Sequence, residues 1–376
     1  MNVCFVSPFP PRHDGISEFN QDLISELKKN NPSFEYTGVA INQNNQLPND
    51  NDKRIIFQIR KQVTEDYLQA ARIINSSNTD IVCLQLEYAL FGGYDGAYVK
   101  TLIKNLTKKL VIIVHGLPIN SYSRRKKTRQ KFFQEIAPFT SLFITINPLE
   151  EKVLRSWGIK NKIVNILHGA PDEILDYQYL ASRKSINLSD KLVIFNFGLI
   201  HEKKGLEYLL QGFLNFTKEY QNAKLIIAGE PLSTATKQNY LDSLKKYVSD
   251  NKMENNVTFI NTFLNHEALF TYLSASDIVA LPYIKRDLVS SGPLSFAAMA
   301  DKFIITTPFP YAKVLLNQEE AYFIPYKNSV KITEALKFYV ENKNKVNKTK
   351  ANLVKKNKSI AWSNVARKYY QIFKSL

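Results

Sequence analysis

The sequence predicts an α/β protein of two doubly wound, Rossmann-like domains that face each other across an interdomain cleft. Two observations predict it. Short apolar runs alternate with amphipathic stretches almost throughout, the pattern of βαβ units on parallel sheets. The chain also has 376 residues, more than the roughly 250–300 at which a single core stops growing.

In the first half the expected strands are 3–7, 55–59, 81–85, 110–115, 142–146 and 163–167, with helix-like stretches such as 17–28 and 64–75 between them. The second half repeats the scheme with strands at 192–197, 224–228, 257–260, 278–281 and 303–306. The boundary is expected near 171–191, giving domains at 1–172 and 173–355 and a terminal helix at 356–376. Ligands of doubly wound sheets bind at the carboxyl ends of the strands, so the loops that follow each strand are the places for chemistry.

Composition narrows the setting. The chain is 44% hydrophobic and 22% charged, ordinary for a folded globular protein. No stretch approaches the ~20 apolar residues of a membrane span. The start, Met1 to Pro8, lacks the basic leader of a signal peptide and reads as a buried strand. The two cysteines, Cys4 and Cys83, sit in apolar strand-like runs, which suits buried thiols in a reducing compartment. A cytoplasmic location is therefore expected. The formal net charge of +16 favours anionic partners such as diphosphates or anionic lipid. No zinc-finger spacing, RNP motif or basic zipper occurs, so nucleic acid is not expected.

Five loops carry candidate chemistry. The first, Pro10 to Ile16, follows strand one and feeds a helix. Gly15 there lets the backbone approach a ligand, and Arg12 and His13 flank it. Glu87, after strand 81–85, is placed to hydrogen-bond a sugar hydroxyl. His115 ends a very apolar strand at its carboxyl end. In the second half, Gly198 to Gly205 joins a strand to a helix, and Lys204 is a point charge able to reach a diphosphate. Ser290, Ser291 and Gly292 open a small-residue helix with Pro293 in its first turn, another anion-binding start. Taken singly, each loop also reads as an ordinary capped turn. Two surface features remain. The run from Arg124 to Lys131, beside Phe132 and Phe133, has the basic and apolar character of a segment for anionic membrane. The tail from Trp362 to Phe373 is an amphipathic helix whose aromatic side needs a surface to bury against.

In order along nearly the whole chain, these segments resemble glycosyltransferase family 4, and most closely its mannosyltransferase-like branch. The carrying segments are Pro10 to Ile16, Leu86 to Gly93, Leu167 to Asp172, Gly198 to Gly205, Ser290 to Gly292 and Thr307 to Ala312. The resemblance implies the GT-B fold, retaining transfer from a nucleotide-sugar held by the C-terminal domain, and a last helix crossing back to the N-terminal domain. It matches Lys204 to a diphosphate-binding lysine, His115 to a histidine near the transferred sugar, and Gly15 to the first-loop glycine. It departs from the family at Leu199, where an arginine is usual, and at Val289 and Ala297, where paired glutamates are usual. Glu230 is then a candidate donor contact.

The resemblance also implies a nucleotide-sugar substrate (GDP-mannose or a UDP-sugar) and a glycan or lipid-linked acceptor; no cofactor is expected, and no metal, since Lys204 and helix dipoles can do a metal's electrostatic work. The leaving diphosphate would accept the acceptor's proton, while Lys204 and helix dipoles stabilise charge. Two rivals stay open: a sugar-nucleotide epimerase or phosphorylase on the same architecture, and a catalytically silent protein that stabilises a partner transferase.

Overall fold

The computed structural model describes residues 1–12, 14–42, 53–119, 125–188, 190–231 and 235–376. The chain forms two compact units: Met1–Gly169 with Trp362–Leu376, and Ala170–Ala361. The division thus falls at 169 rather than 172, and the return to the first unit begins at 362 rather than 356.

The first unit is built on a seven-stranded parallel sheet of order β3-β2-β1-β4-β5-β6-β7. The strands are β1 (Asn2–Ser7), β2 (Glu35–Asn42), β3 (Ile55–Arg60), β4 (Ile81–Leu86), β5 (Lys109–Val114), β6 (Leu142–Thr145) and β7 (Lys162–Asn165). The central strands β1, β4 and β5 carry buried side chains on both faces, as a parallel sheet covered by helices demands. Strand β2 has no counterpart in the sequence expectation. Its sequence Glu-Tyr-Thr-Gly precedes its apolar half, so no continuous apolar run marks it. Cys4 and Cys83 are buried free thiols on neighbouring strands, and burial raises the Cys4 thiol to about 12.

The second unit has a six-stranded parallel sheet of order β10-β9-β8-β11-β12-β13. Its strands are β8 (Leu192–Phe197), β9 (Ala223–Ala228), β10 (Val257–Ile260), β11 (Ile278–Leu281), β12 (Phe303–Thr306) and β13 (Tyr322–Phe323). The order reverses between β8 and β11, which creates the switch point where such sheets bind ligands. The two-residue β13 is too short to leave a periodic signal.

The tail helix Trp362–Lys374 packs within the first unit against the Gly15–Asn30 helix. Trp362, Val365, Ala366, Tyr369 and Phe373 are buried at helical spacing, so the aromatic side has its surface. Among the described residues, no helix is long and apolar enough to cross a membrane.

Candidate functional site

At the carboxyl end of β8 the chain turns through Gly198, which has φ +106°. Gly229 follows β9 with φ +145°, and a Cβ on it would lie 2.2 Å from the Gly198 carbonyl oxygen. Only glycine fits both the dihedrals and this close approach. A short 3-10 turn, Glu202–Lys204, then leads into the Leu206–Thr217 helix. Lys204 curls back over the turn. Its Nζ donates to the Tyr283 hydroxyl at 3.0 Å and lies 4.3 Å from that ring's centroid. The same Nζ is 3.2 Å from the position of a Cβ on Gly198, and Pro293 Cγ is 3.3 Å from that position. Gly198, Lys204 and the start of the Gly292–Met299 helix therefore converge on one spot.

The sequence alone assigns Tyr283 no role. It is buried, stacks on Phe309 at 5.3 Å, and its carbonyl accepts from Thr307 Oγ1 at 2.6 Å. This fixes the surface on which Lys204 rests.

Ser291 caps the Gly292–Met299 helix by accepting from Leu294 N at 3.3 Å. Ser290 precedes this cap in the sequence, and Pro293 stands in the first turn of the helix. Glu230 sits after β9, where its Oε1 accepts from Phe263 N at 3.3 Å and its carbonyl accepts from Ile200 N at 2.8 Å. It thus braces two loop backbones. Val289 and Ala297 are buried apolar side chains, so neither position offers a polar ribose contact.

In the first unit, His115 follows β5 and is buried. Its Nε2 pairs with Gln85 Oε1 at 2.6 Å, and Gln85 Nε2 donates to Asn20 Oδ1 at 3.1 Å. An amide oxygen only accepts, so the imidazole proton sits on Nε2 and Nδ1 is left as a bare acceptor. Phe19 packs edge-on against both His115 and His168, with centroids 4.9 and 5.0 Å away. Burial pushes the His115 pKa down to about 3 and that of His168 to about 4.

The loop after His115 is pinned from below. Leu117 N donates to Glu150 Oε1 at 3.0 Å, and Glu150 forms a capping box with Asn147 at the start of the Pro148–Ser156 helix. Burial raises Glu150 to about 8. The Asn-Pro-Leu-Glu sequence at 147–150 is a readable capping signal, though it does not reveal what the carboxylate holds. Glu87 reaches the same loop, with Oε2 3.1 Å from the position of a Cβ on Gly116.

The first loop differs from expectation. Asp14, not a ligand, occupies the Gly15–Asn30 helix start, its Oδ1 accepting from Ile16 N and Ser17 N at 2.9 Å each. Arg12 pairs with Asp14 at 2.6 Å and donates to the Ile41 carbonyl at 3.3 Å. The anion-attracting end of this helix is therefore already filled by a carboxylate. Gly15 is exposed, and a Cβ added to it would meet nothing within 4 Å. His13 lies outside the described residues.

The two buried histidines make a pH prediction. Their folded-state pKa values lie below the unfolded ~6.5. Protonation thus favours the unfolded chain, and their stability contribution is complete above pH 6.5 and lost as pH falls toward 4. Buried Glu150 opposes this trend, since its raised pKa stabilises the fold as pH falls. The histidine effect is therefore read as a difference: between pH 6.5 and 5, urea unfolding of wild type should lose about 2 kcal/mol more than that of a His168→Phe variant. Parallel pH curves for the two proteins would refute the assignment.

Residues 180–358 match the family described as glycosyl transferases group 1. A curated relative, an uncharacterized glycosyltransferase of Methanocaldococcus jannaschii, is 26% identical over 193 residues. That match spans less than half of either chain, 46% of this one and 44% of the relative. Among solved structures, the Anabaena protein HepE in complex with UDP and glucose has a TM-score of 0.76 at 14% identity, over 100% of both chains. A sucrose-phosphate synthase from Thermosynechococcus elongatus has a TM-score of 0.77 at 16% identity, over 100% of this chain and 98% of the other. The chain has the GT-B fold of such enzymes, and the bulk of its second unit is similar to glycosyl transferases group 1.

Proposed function

We propose that this chain is a retaining glycosyltransferase that moves a hexose, with mannose favoured, from a nucleotide-sugar to a glycan or lipid-linked acceptor in cell-surface polysaccharide synthesis. The observation that carries the reading is the convergence of Lys204, Gly198 and the Gly292–Met299 helix start at the carboxyl end of β8. A cation, a glycine-opened backbone and helix amides together suit a diphosphate. Similar folds hold UDP and glucose, which supports a nucleotide-sugar donor, either GDP-mannose or a UDP-sugar. Retention and mannose rest on the family 4 resemblance.

In this reaction the bond from the anomeric carbon to the diphosphate oxygen breaks, and the acceptor hydroxyl oxygen bonds to that carbon on the same face. The hydroxyl proton passes to the departing phosphate oxygen. Lys204 stabilises the negative charge that develops there. His115, neutral and with Nδ1 bare, accepts a hydrogen bond from a hydroxyl of the transferred sugar. Ser290, Ser291, Gly292 and Gly198 position the donor, and Glu230 supports the loops around it. A hydrolysis and transfer screen over GDP-mannose and the common UDP-sugars tests the reading. Turnover of at least one donor is expected. A folded protein that turns over none of them would instead be a silent GT-B protein.

Association with an anionic membrane is part of the same proposal, in altered form. Arg124 lies outside the described residues. Phe132 and Phe133 pack inward, against Tyr88, Phe143 and Trp157, so neither offers an apolar edge to lipid. Arg125 and Arg129 are paired with Asp95. The attraction then rests on Lys126, Lys127 and Lys131, at about 1 kcal/mol each near an anionic surface. Changing these three to Gln should weaken sedimentation with phosphatidylserine-containing vesicles at least tenfold at low salt. Equal sedimentation of variant and wild type would remove the membrane from the proposal.

A further inference from the structure

A cavity of about 240 Å³ opens in the first unit beside Glu87, between the loop that follows β4 and the start of the Lys126–Ile136 helix. It is smaller than the ~300–1,000 Å³ pockets of drug-sized ligands and suits a group about the size of one sugar ring. Its polar wall is built rather than incidental. Asp95, with a side chain only 2% exposed, accepts from Arg125 Nη1 at 3.1 Å and from Arg129 Nε at 3.1 Å. Arg129 is also held flat, 4.0 Å from the Tyr88 ring centroid. Asp95 adopts φ +50° to reach this position, an uncommon conformation that Asp tolerates better than most residues.

Opposite stands Lys61, whose Nζ donates to the Ala89 carbonyl at 2.6 Å and makes no ion pair among the described residues. Burial, and next the charge of Arg12, depress its pKa. An added anion would offset both by favouring the charged ammonium. The Tyr88 hydroxyl is buried and has no hydrogen-bond partner among the described residues. A buried hydroxyl left unmet is destabilising until a partner reaches it.

We propose that this cavity binds an anionic sugar unit of the acceptor, one bearing a carboxylate or a phosphate. Lys61 and Arg125, both on the cavity wall, take the anion, Arg125 through the N–H groups that Asp95 does not use, and Glu87 accepts from the sugar's hydroxyls. Arginine and lysine around a shared anion give charge-assisted hydrogen bonds, the strong kind. Asp95 is itself on the cavity wall, but both arginines pair with it, so its charge is offset and it orients them.

The assignment deepens the transferase reading by naming the acceptor's chemical class, yet it is tested by binding alone. Saturation-transfer NMR on the full chain would compare glucuronate, glucose 6-phosphate, glucose and inorganic phosphate. At least one of the two anionic sugars should bind saturably, at least tenfold tighter than glucose and than inorganic phosphate. A Lys61→Gln, Arg125→Gln double variant should lose that binding at least tenfold, while a Lys204→Ala variant should retain it. The carboxylate and phosphate arms identify which anion is preferred. Glucose or inorganic phosphate binding as tightly as the anionic sugars would overturn the proposal. So would anionic-sugar binding that survives the double substitution, or that disappears with Lys204. Nucleotide-sugar hydrolysis by wild type is measured separately: a chain that binds anionic sugar yet turns over no donor loses the transferase reading and keeps this one, and the converse result does the opposite.

Discussion

Lys204→Ala is expected to lower sugar transfer about 10²-fold while leaving the fold intact. The ammonium group is held at the Gly198 turn on the Tyr283 hydroxyl and ring. Removing a preorganised group that stabilises developing charge costs on the order of 3 kcal/mol in the transition state. Stability should change little, because Lys204 is half-buried and forms no ion pair among the described residues. The loss should appear chiefly in kcat, since charge on the departing diphosphate grows as the glycosidic bond breaks. Tyr283→Phe offers a graded control. It keeps the ring beneath the ammonium but removes the hydroxyl that orients it, so a loss below tenfold is expected. Steady-state rates with the true donor, paired with thermal unfolding of each variant, check both effects. A Lys204→Ala enzyme that runs at wild-type rate would end the diphosphate assignment.

The alternation of apolar and amphipathic segments made most of the fold legible, because strands buried on both faces leave continuous apolar runs. Strand β5, Lys109–Val114, is such a run. Strand β2 escaped because half of it is polar, and β13 because two residues carry no period. The candidate loops were readable where glycine, lysine or proline leaves a mark, as at Gly198, Lys204 and Pro293. Their partners were not, since a contact such as Lys204 with Tyr283 links positions 79 apart in the chain. The chain from His115 through Gln85 to Asn20 likewise joins three elements. At the first loop the sequence left out the cap. An Asp directly before a helix is both a capping signal and a charge, and its capping role decides here what the helix start can attract. Similarly, Phe132 and Phe133 looked like a lipid-facing edge because an apolar stripe does not say which surface it covers.

Trp362→Ala is expected to destabilise the first unit by about 3–5 kcal/mol, the usual cost of emptying a buried aromatic site. Trp362 is 1% exposed and packs edge-on against Phe19 at 5.1 Å. Its Nε1 donates to the buried Asp22 at 3.1 Å, so truncation also takes a donor from a buried carboxylate. The backbone beneath is shaped to the ring: a Cβ on Gly169 would fall 2.2 Å from Trp362 Cδ2. Gly169→Ala should therefore be destabilising as well, by forcing the indole out of its seat. If the alanine at 169 acts only through that clash, its effect should largely vanish in the Trp362→Ala background, where the ring is gone. The tail helix and the Gly15–Asn30 helix meet at this residue, and Phe19 on the latter also touches His115. Loosening Trp362 should thus reach the candidate site, and hydrogen exchange should rise in both helices. Urea unfolding of the two single variants and the double variant measures the coupling. A Trp362→Ala loss under 1 kcal/mol, or additive effects in the double variant, would show that the tail helix is not anchored through this ring.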